Sequence, residues 1–149
     1  MEYSHREPGR IFYLRVDEGE DLTGAIRAVC TTERIACATV QVFGALREGT
    51  VVTGPRDAVV PPDPVTMRFE NGWEILGFGT VFPGDEGPDL HLHVAMGRGE
   101  ETRTGCLRGE AVVYLVVEVV ITELEGVEIT RSHDPDMGVS RPQVTRRRE

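Results

Sequence analysis

The stretch from Ala111 to Ile121 (Ala-Val-Val-Tyr-Leu-Val-Val-Glu-Val-Val-Ile) constrains the fold most. Six of its eleven residues are valines. Side chains branched at Cβ lose rotamer freedom in a helix but pack well on a pleated sheet. The segment is interrupted by Glu118 and falls short of the ~20 apolar residues a spanning helix needs. It therefore predicts a long strand, Ala111 to Leu124, central in a sheet and buried on both faces.

The other segments supply partners for that strand. Residues Arg10 to Val16 alternate as a first strand. The acidic run from Asp17 to Asp21 reads as a turn and a helix start, since carboxylates complement the positive end of the helix dipole. Leu22, Ile26, Val29 and Cys30 then recur at helical spacing, giving one amphipathic helix from Leu22 to about Glu33. Ala36 to Leu46 reads as a strand and Glu48 to Thr53 as its returning partner. Gly54 to Pro64, with four prolines, is a loop. Val65 to Glu70 and Trp73 to Phe82 flank Asn71-Gly72, a strong tight-turn signal. Gly77 and Gly79 share one face of the second of these strands, a place where a neighbouring backbone or a ring can approach. Pro83 to Pro88 is a turn-rich loop, and Arg98 to Glu101 a hairpin turn. Strands follow from Glu101 to Leu107 and from Val127 to Ser132, and Asp134-Pro135 ends the regular structure. The expected fold is α+β, a curved, mostly antiparallel sheet with one main helix packed on it. Residues 1–134 form a single domain, and 135–149 are expected to be a flexible tail.

Chemistry concentrates in Pro88 to Gly97 and in Thr104 to Leu107. Strand alternation puts His91 and His93 on one face, opposite Leu90, Leu92 and Val94. Each imidazole nitrogen needs a partner, so two adjacent rings are poor core filler. They make two-thirds of a metal site, since catalytic zinc takes three protein ligands and leaves one position open. A hairpin after Met96 returns Cys106 beside the pair. The competing reading is an exposed strand with two solvated histidines. Glu118, in apolar surroundings, must be paired, bind a metal or stay protonated. Its candidate role is general acid and base, against an ion pair with one of the arginines. Arg47 is the candidate clamp for a substrate carboxylate, against an exposed charge at a strand end. His5 and His133 read as solvated.

Charge narrows the partners. The chain has sixteen arginines, no lysine and a net charge of −9. Asp134 to Glu149 contributes +1, which leaves about −10 for the body. Nucleic-acid binders usually carry a basic footprint, so nucleic acid is not an expected partner. The run Arg146-Arg147-Arg148 is too short to change this. Three cysteines, an odd number, argue against a disulfide framework. The first residues lack the apolar core of a signal peptide, no membrane association is expected, and a cytoplasmic location is. No nucleophile elbow or phosphate-cradling glycine loop is present.

Five segments taken together resemble a known family. They are Gly19-Glu20-Asp21-Leu22, Phe43-Gly44-Ala45-Leu46-Arg47, Leu90-His91-Leu92-His93, Gly105-Cys106-Leu107, and Val117 to Leu124. Their order and spacing resemble the PPC (plants and prokaryotes conserved) domain over residues 10–133, in its stand-alone prokaryotic form. The resemblance implies a homotrimer of α+β subunits. It also implies a third histidine in a Gly-His-Leu segment, where this chain has Cys106. Cysteine is itself a zinc ligand, so the departure is compatible with a His91/His93/Cys106 zinc site or with its loss. A more distant likeness of fold to acetolactate decarboxylase implies a zinc site working beside Arg and Glu; fold alone does not fix function. No Arg-Gly-Arg-Pro core is present, so the plant members' DNA-binding role does not carry over.

Two readings follow. In the first, the chain is a PPC-domain protein whose metal site binds a small anionic ligand; if it is an enzyme, Arg47 holds the ligand and Glu118 moves protons. In the second it is a non-catalytic trimeric structural or regulatory module, with a DNA-associated role less favoured than either.

Overall fold

A computed structural model describes residues 9–145. The elements run β1 (Ile11–Asp17), α1 (Leu22–Thr32), β2 (Ala38–Pro55), β3 (Pro64–Phe69), β4 (Trp73–Gly84), β5 (Gly87–Arg98), β6 (Glu101–Glu123), β7 (Ile129–Asp134) and β8 (Val139–Val144). Every strand pairing is antiparallel. Among the described residues the fold is thus mainly a curved antiparallel sheet with one 11-residue helix, to which the α+β class applies only coarsely. His5 and the Arg146–Arg148 run lie outside the described residues.

The order of the main sheet is β1-β6-β5-β4-β2-β3, and β6 also pairs with β2. The sheet thereby closes through β6, β5, β4 and β2. Two pairs of expected strands turn out to be single bent ones. Glu48 to Thr53 does not return beside Ala38 to Leu46; it continues β2 and takes β3 as a new partner. Glu101 to Leu107 likewise runs on into the valine-rich segment as β6. Register shifts near Gly44, Leu46 and Glu48 bend the β2–β6 pair, and such bulges increase local twist.

The core lies inside the closed sheet, under α1. Val113, Val117, Val119 and Ile121 of β6 are fully buried, together with Val40 and Val42 of β2 and Leu22 and Ile26 of α1. Asp21 caps the helix by accepting from the backbone N–H groups of Thr23 and Gly24. It also accepts from Ala111 N at 3.0 Å, which ties the helix start to β6. The other face of β6 is not buried within the chain, because the sheet is covered on one side only. Tyr114, Leu115 and Val116 are exposed there, and Glu118 is only half-buried.

Gly77 and Gly79 admit a backbone, one of the two expected alternatives. A Cβ on Gly79 would stand 2.4 Å from the His91 carbonyl oxygen, and one on Gly77 would stand 2.8 Å from that of His93. Their missing side chains let β5, the histidine strand, press against β4.

Regular structure does not end at Asp134. Val139 to Val144 forms β8 and pairs with β7, so that Arg131 lies opposite Pro142. The sequence conceals this because Pro142 and the polar run around it look like loop. No helix among the described residues is long and apolar enough to cross a membrane.

Gly79→Ala is expected to destabilise the fold by about 2 kcal/mol through overpacking. Gly97→Ala, on the neighbouring histidine strand β5, meets nothing closer than 3.8 Å and should stay within about 0.5 kcal/mol of wild type. Urea unfolding of both variants checks the contrast.

Candidate metal centre

Alternation along β5 puts Leu90, Leu92, Val94 and Met96 into the core and turns Asp89, His91 and His93 outward. The first turn of the hairpin is short, so β6 returns with Cys106 opposite His93. On its other side Cys106 faces Val52 of β2. One ligand atom from each of His91, His93 and Cys106 lies within 4.8 Å of the others. The two Nε2 atoms are 3.1 Å apart, and the rings meet edge to face. Two nitrogens on one tetrahedral zinc would stand about 3.3 Å apart at ordinary bond lengths. The donor set and the spacing of the two nitrogens therefore fit a single ion. Without an ion, one ring donates its Nε2–H to the other.

The cluster opens into a cleft of about 940 Å³ whose walls come from four parts of the chain. β2 and β6 contribute Val52, Cys106 and Arg108; β5 contributes Asp89, His91 and His93; the proline loop contributes Pro62; and the β7–β8 hairpin contributes Arg131, His133 and Ser140. Arg131 is 7% exposed. Its Nη2 donates to Thr80 Oγ1 at 3.0 Å, and its guanidinium lies over the Phe82 ring at 5.3 Å. Burial lowers the His91 pKa, and the positive charge of Arg131 lowers it further. Burial also raises the Cys106 pKa. Both groups are thus held neutral near pH 7 in the metal-free protein.

The structure separates the other two expected site residues from this cleft. Glu118 accepts a hydrogen bond from the Tyr13 hydroxyl at 2.6 Å. It lies beside Phe43 and Arg15 in the sheet and does not line the cleft. Its carboxylate has this exposed partner because its face of β6 is open. Arg47 pairs with Glu18 and lies over the Tyr114 ring at 5.3 Å. The bend in β2 carries it away from the histidines, and it too is absent from the cleft. In their place the cleft contains Arg131, Arg108 and Asp89. Asp89 was legible, since Asp89-x-His91-x-His93 is a single alternating face. Arg131 and His133 also alternate, but nothing in the sequence says where their hairpin docks.

The Plants and Prokaryotes Conserved domain matches residues 3–125 of the chain. No curated protein matches it. Among solved structures, the chain is similar to a metal-containing protein from Archaeoglobus fulgidus. The two are 29% identical, with a TM-score of 0.82 over 93% of this chain and 96% of that one. It is also similar to a plant- and prokaryote-conserved protein from Pyrococcus horikoshii, at 25% identity and a TM-score of 0.83, covering 98% and 99% of the two chains. A third similar structure, from Bacteroides thetaiotaomicron, has a description that suggests DNA binding; it is 25% identical with a TM-score of 0.76, over 97% and 99%.

The depressed pKa of His91 has a consequence for stability. The unfolded chain binds this proton more readily than the folded one, so folding stability falls as pH drops below about 6.5, the ordinary imidazole value. The loss continues down to the lower folded-state pKa. Urea unfolding of metal-free protein across this range should show the decline, and His91→Gln should flatten it.

Proposed function

Since the chain belongs to the Plants and Prokaryotes Conserved domain family, we propose that it binds one zinc ion through His91, His93 and Cys106 and presents it to a small anionic ligand in the adjoining cleft. The observation that carries this reading is the convergence of the three donor atoms at the floor of a cleft that also holds two arginines. The metal-containing relative from Archaeoglobus fulgidus supports it. When bound, zinc supplies Lewis acidity to a ligand oxygen or to water. The chain's own part is to hold a neutral imidazole at His91 and a thiol at Cys106 ready in a partly desolvated pocket, and to set positive charge beside them. Replacement of the family's histidine by Cys106 keeps three ligands and leaves a fourth position open.

We also propose that the protein is a homotrimer. Tyr13, Phe43, Leu76 and Phe78 are between 47% and 68% exposed and crowd the outer face of the sheet, where Phe78 adjoins His93. Contiguous apolar surface of this kind marks an interaction site. A second copy seated there would also cover the exposed side of His93. The same surface supports the alternative of a trimeric structural module with no bound metal. A DNA-associated role, suggested for the Bacteroides relative, is disfavoured by the net charge of −9.

Elemental analysis of untagged protein is the direct test, with about one zinc per chain expected. Substitution by cobalt should give a thiolate-to-metal charge-transfer band that Cys106→Ala abolishes, and uptake should release about one proton at neutral pH. Protein that never holds metal, even when zinc is supplied during refolding, would leave the structural-module reading. Light scattering should give three chains per particle, and Leu76→Glu should shift the population toward monomer.

A further inference from the structure

We propose that Arg131 anchors an anion subsite beside the His91–His93–Cys106 cluster, and that this subsite takes a small monocarboxylate. The inference deepens the metal-site reading and rests on it for the use to which the acid is put. The subsite itself is a property of the protein alone.

A guanidinium buried to this degree costs several kcal/mol unless its charge and donors are met. Arg131 is 7% exposed, yet its protein partners fall short. Thr80 Oγ1 is its only hydrogen-bond acceptor among the described residues. Its Nε–H is buried with no acceptor. The nearest carboxylate oxygen, Asp89 Oδ2, stands 3.5 Å from Nε. That is ion-pair distance but beyond the usual 2.7–3.2 Å of an N–H···O bond. A purely structural arginine would close on that aspartate with the paired, parallel geometry guanidinium and carboxylate favour. Asp89 instead stays 39% exposed, on the wall of the cleft.

The charge count indicates the class of ligand. Arg108 lines the same cleft and has no ion-pair or hydrogen-bond partner among the described residues. In the metal-free protein two guanidinium groups and one carboxylate face the space, an excess of one positive charge. A monocarboxylate neutralises that excess and offers two acceptor oxygens to the arginine donors. A phosphate dianion would over-compensate and would place its second charge against Asp89. The hairpin that carries Arg131 is held in place by contacts outside the cleft, where the Cys37 thiol lies against the carbonyl oxygens of Val127 and Ile129. The arginine therefore approaches the cluster from a fixed wall.

The test uses full-length, untagged, nitrogen-15-labelled protein treated with a chelator. The side-chain Nε–H resonance of Arg131 is assigned through Arg131→Lys. Propanoate should move that resonance saturably in the millimolar range, and the neutral amide propanamide should not. Followed through the backbone amide resonances of His91, His93 and Cys106, Arg131→Gln should weaken propanoate binding about tenfold, the loss of one charge-assisted hydrogen bond. Arg108→Gln should weaken it less, by about threefold. Should Arg131→Gln fail to fold, the wild-type resonance and Arg108→Gln carry the decision. A resonance indifferent to both propanoate and inorganic phosphate, or a folded Arg131→Gln that binds propanoate like wild type, would overturn the proposal. Tighter binding of phosphate than of propanoate would overturn the carboxylate class. Failure of zinc uptake with the propanoate response intact would count against the metal reading alone. Zinc uptake with a silent Arg131 would count against the subsite alone.

Discussion

The position of Cys106 in the sheet is the constraint on which the site depends. At this residue β6 leaves its hairpin partner β5, where Cys106 faces His93, and takes up β2, where it faces Val52. That exchange is what closes the sheet through β6, β5, β4 and β2. A strand with neighbours on both sides has no free edge and little room to slip, because a one-residue slip would turn every core valine outward. The register that buries Val113, Val117 and Val119 therefore also fixes Cys106 beside the histidines. Core packing and ligand geometry are two results of one pairing, and a cysteine or histidine here is positioned by the whole hydrophobic core.

Pressing β5 against β4 serves the same geometry from the other side. Glycine in a strand interior normally weakens it. Here Gly77 and Gly79 lack the Cβ atoms that would crowd the carbonyl oxygens of His93 and His91. The destabilising choice is local, and the gain is a tight β4–β5 pair whose outer face carries Asp89, His91 and His93 in a row. That row then meets Arg131, which bonds to Thr80 of β4. A chain with a net charge of −9 thus keeps a cleft with local positive excess. Local field, not overall charge, decides what such a cleft concentrates.

Much of this was legible in the sequence, for identifiable reasons. Alternation alone put His91 and His93 on one face, and the short turn at Gly99 brought Cys106 back. The helix was legible because Leu22, Ile26 and Cys30 recur at a period no strand shares, after a capping Asp21. Strand continuity was not legible. The breaks expected between Leu46 and Glu48 and between Leu107 and Ala111 are, in the structure, places where bulges bend continuous strands. Glu118 lies away from the cleft for a related reason. Its neighbours are all apolar, but apolar sequence around a residue shows only that some face is buried, and its own face is open. Arg47 was assigned to the site by nearness to a glycine motif, and the bend in β2 took it to Glu18 instead. Arg131 could not be found at all, since its importance comes from the docking of a two-stranded hairpin with no hydrophobic pattern of its own.

The protonation states of the cluster set how a metal must enter. Burial favours a neutral imidazole at His91 and a protonated thiol at Cys106. The first state is ready for a metal, because a neutral ring nitrogen is the ligand. The second is not, because thiolate is the ligand and the proton must leave. The same desolvation therefore acts in opposite directions on the two kinds of donor. In a site of three histidines it would simply favour binding over the neutral pH range. With cysteine in the third position, binding couples to loss of a thiol proton and weakens as pH falls. The positive charges of Arg108 and Arg131 partly offset this, since both lower the Cys106 pKa. The arginines that disfavour a cation through simple repulsion also stabilise the thiolate that captures it, and an anion held between them would reduce the repulsion.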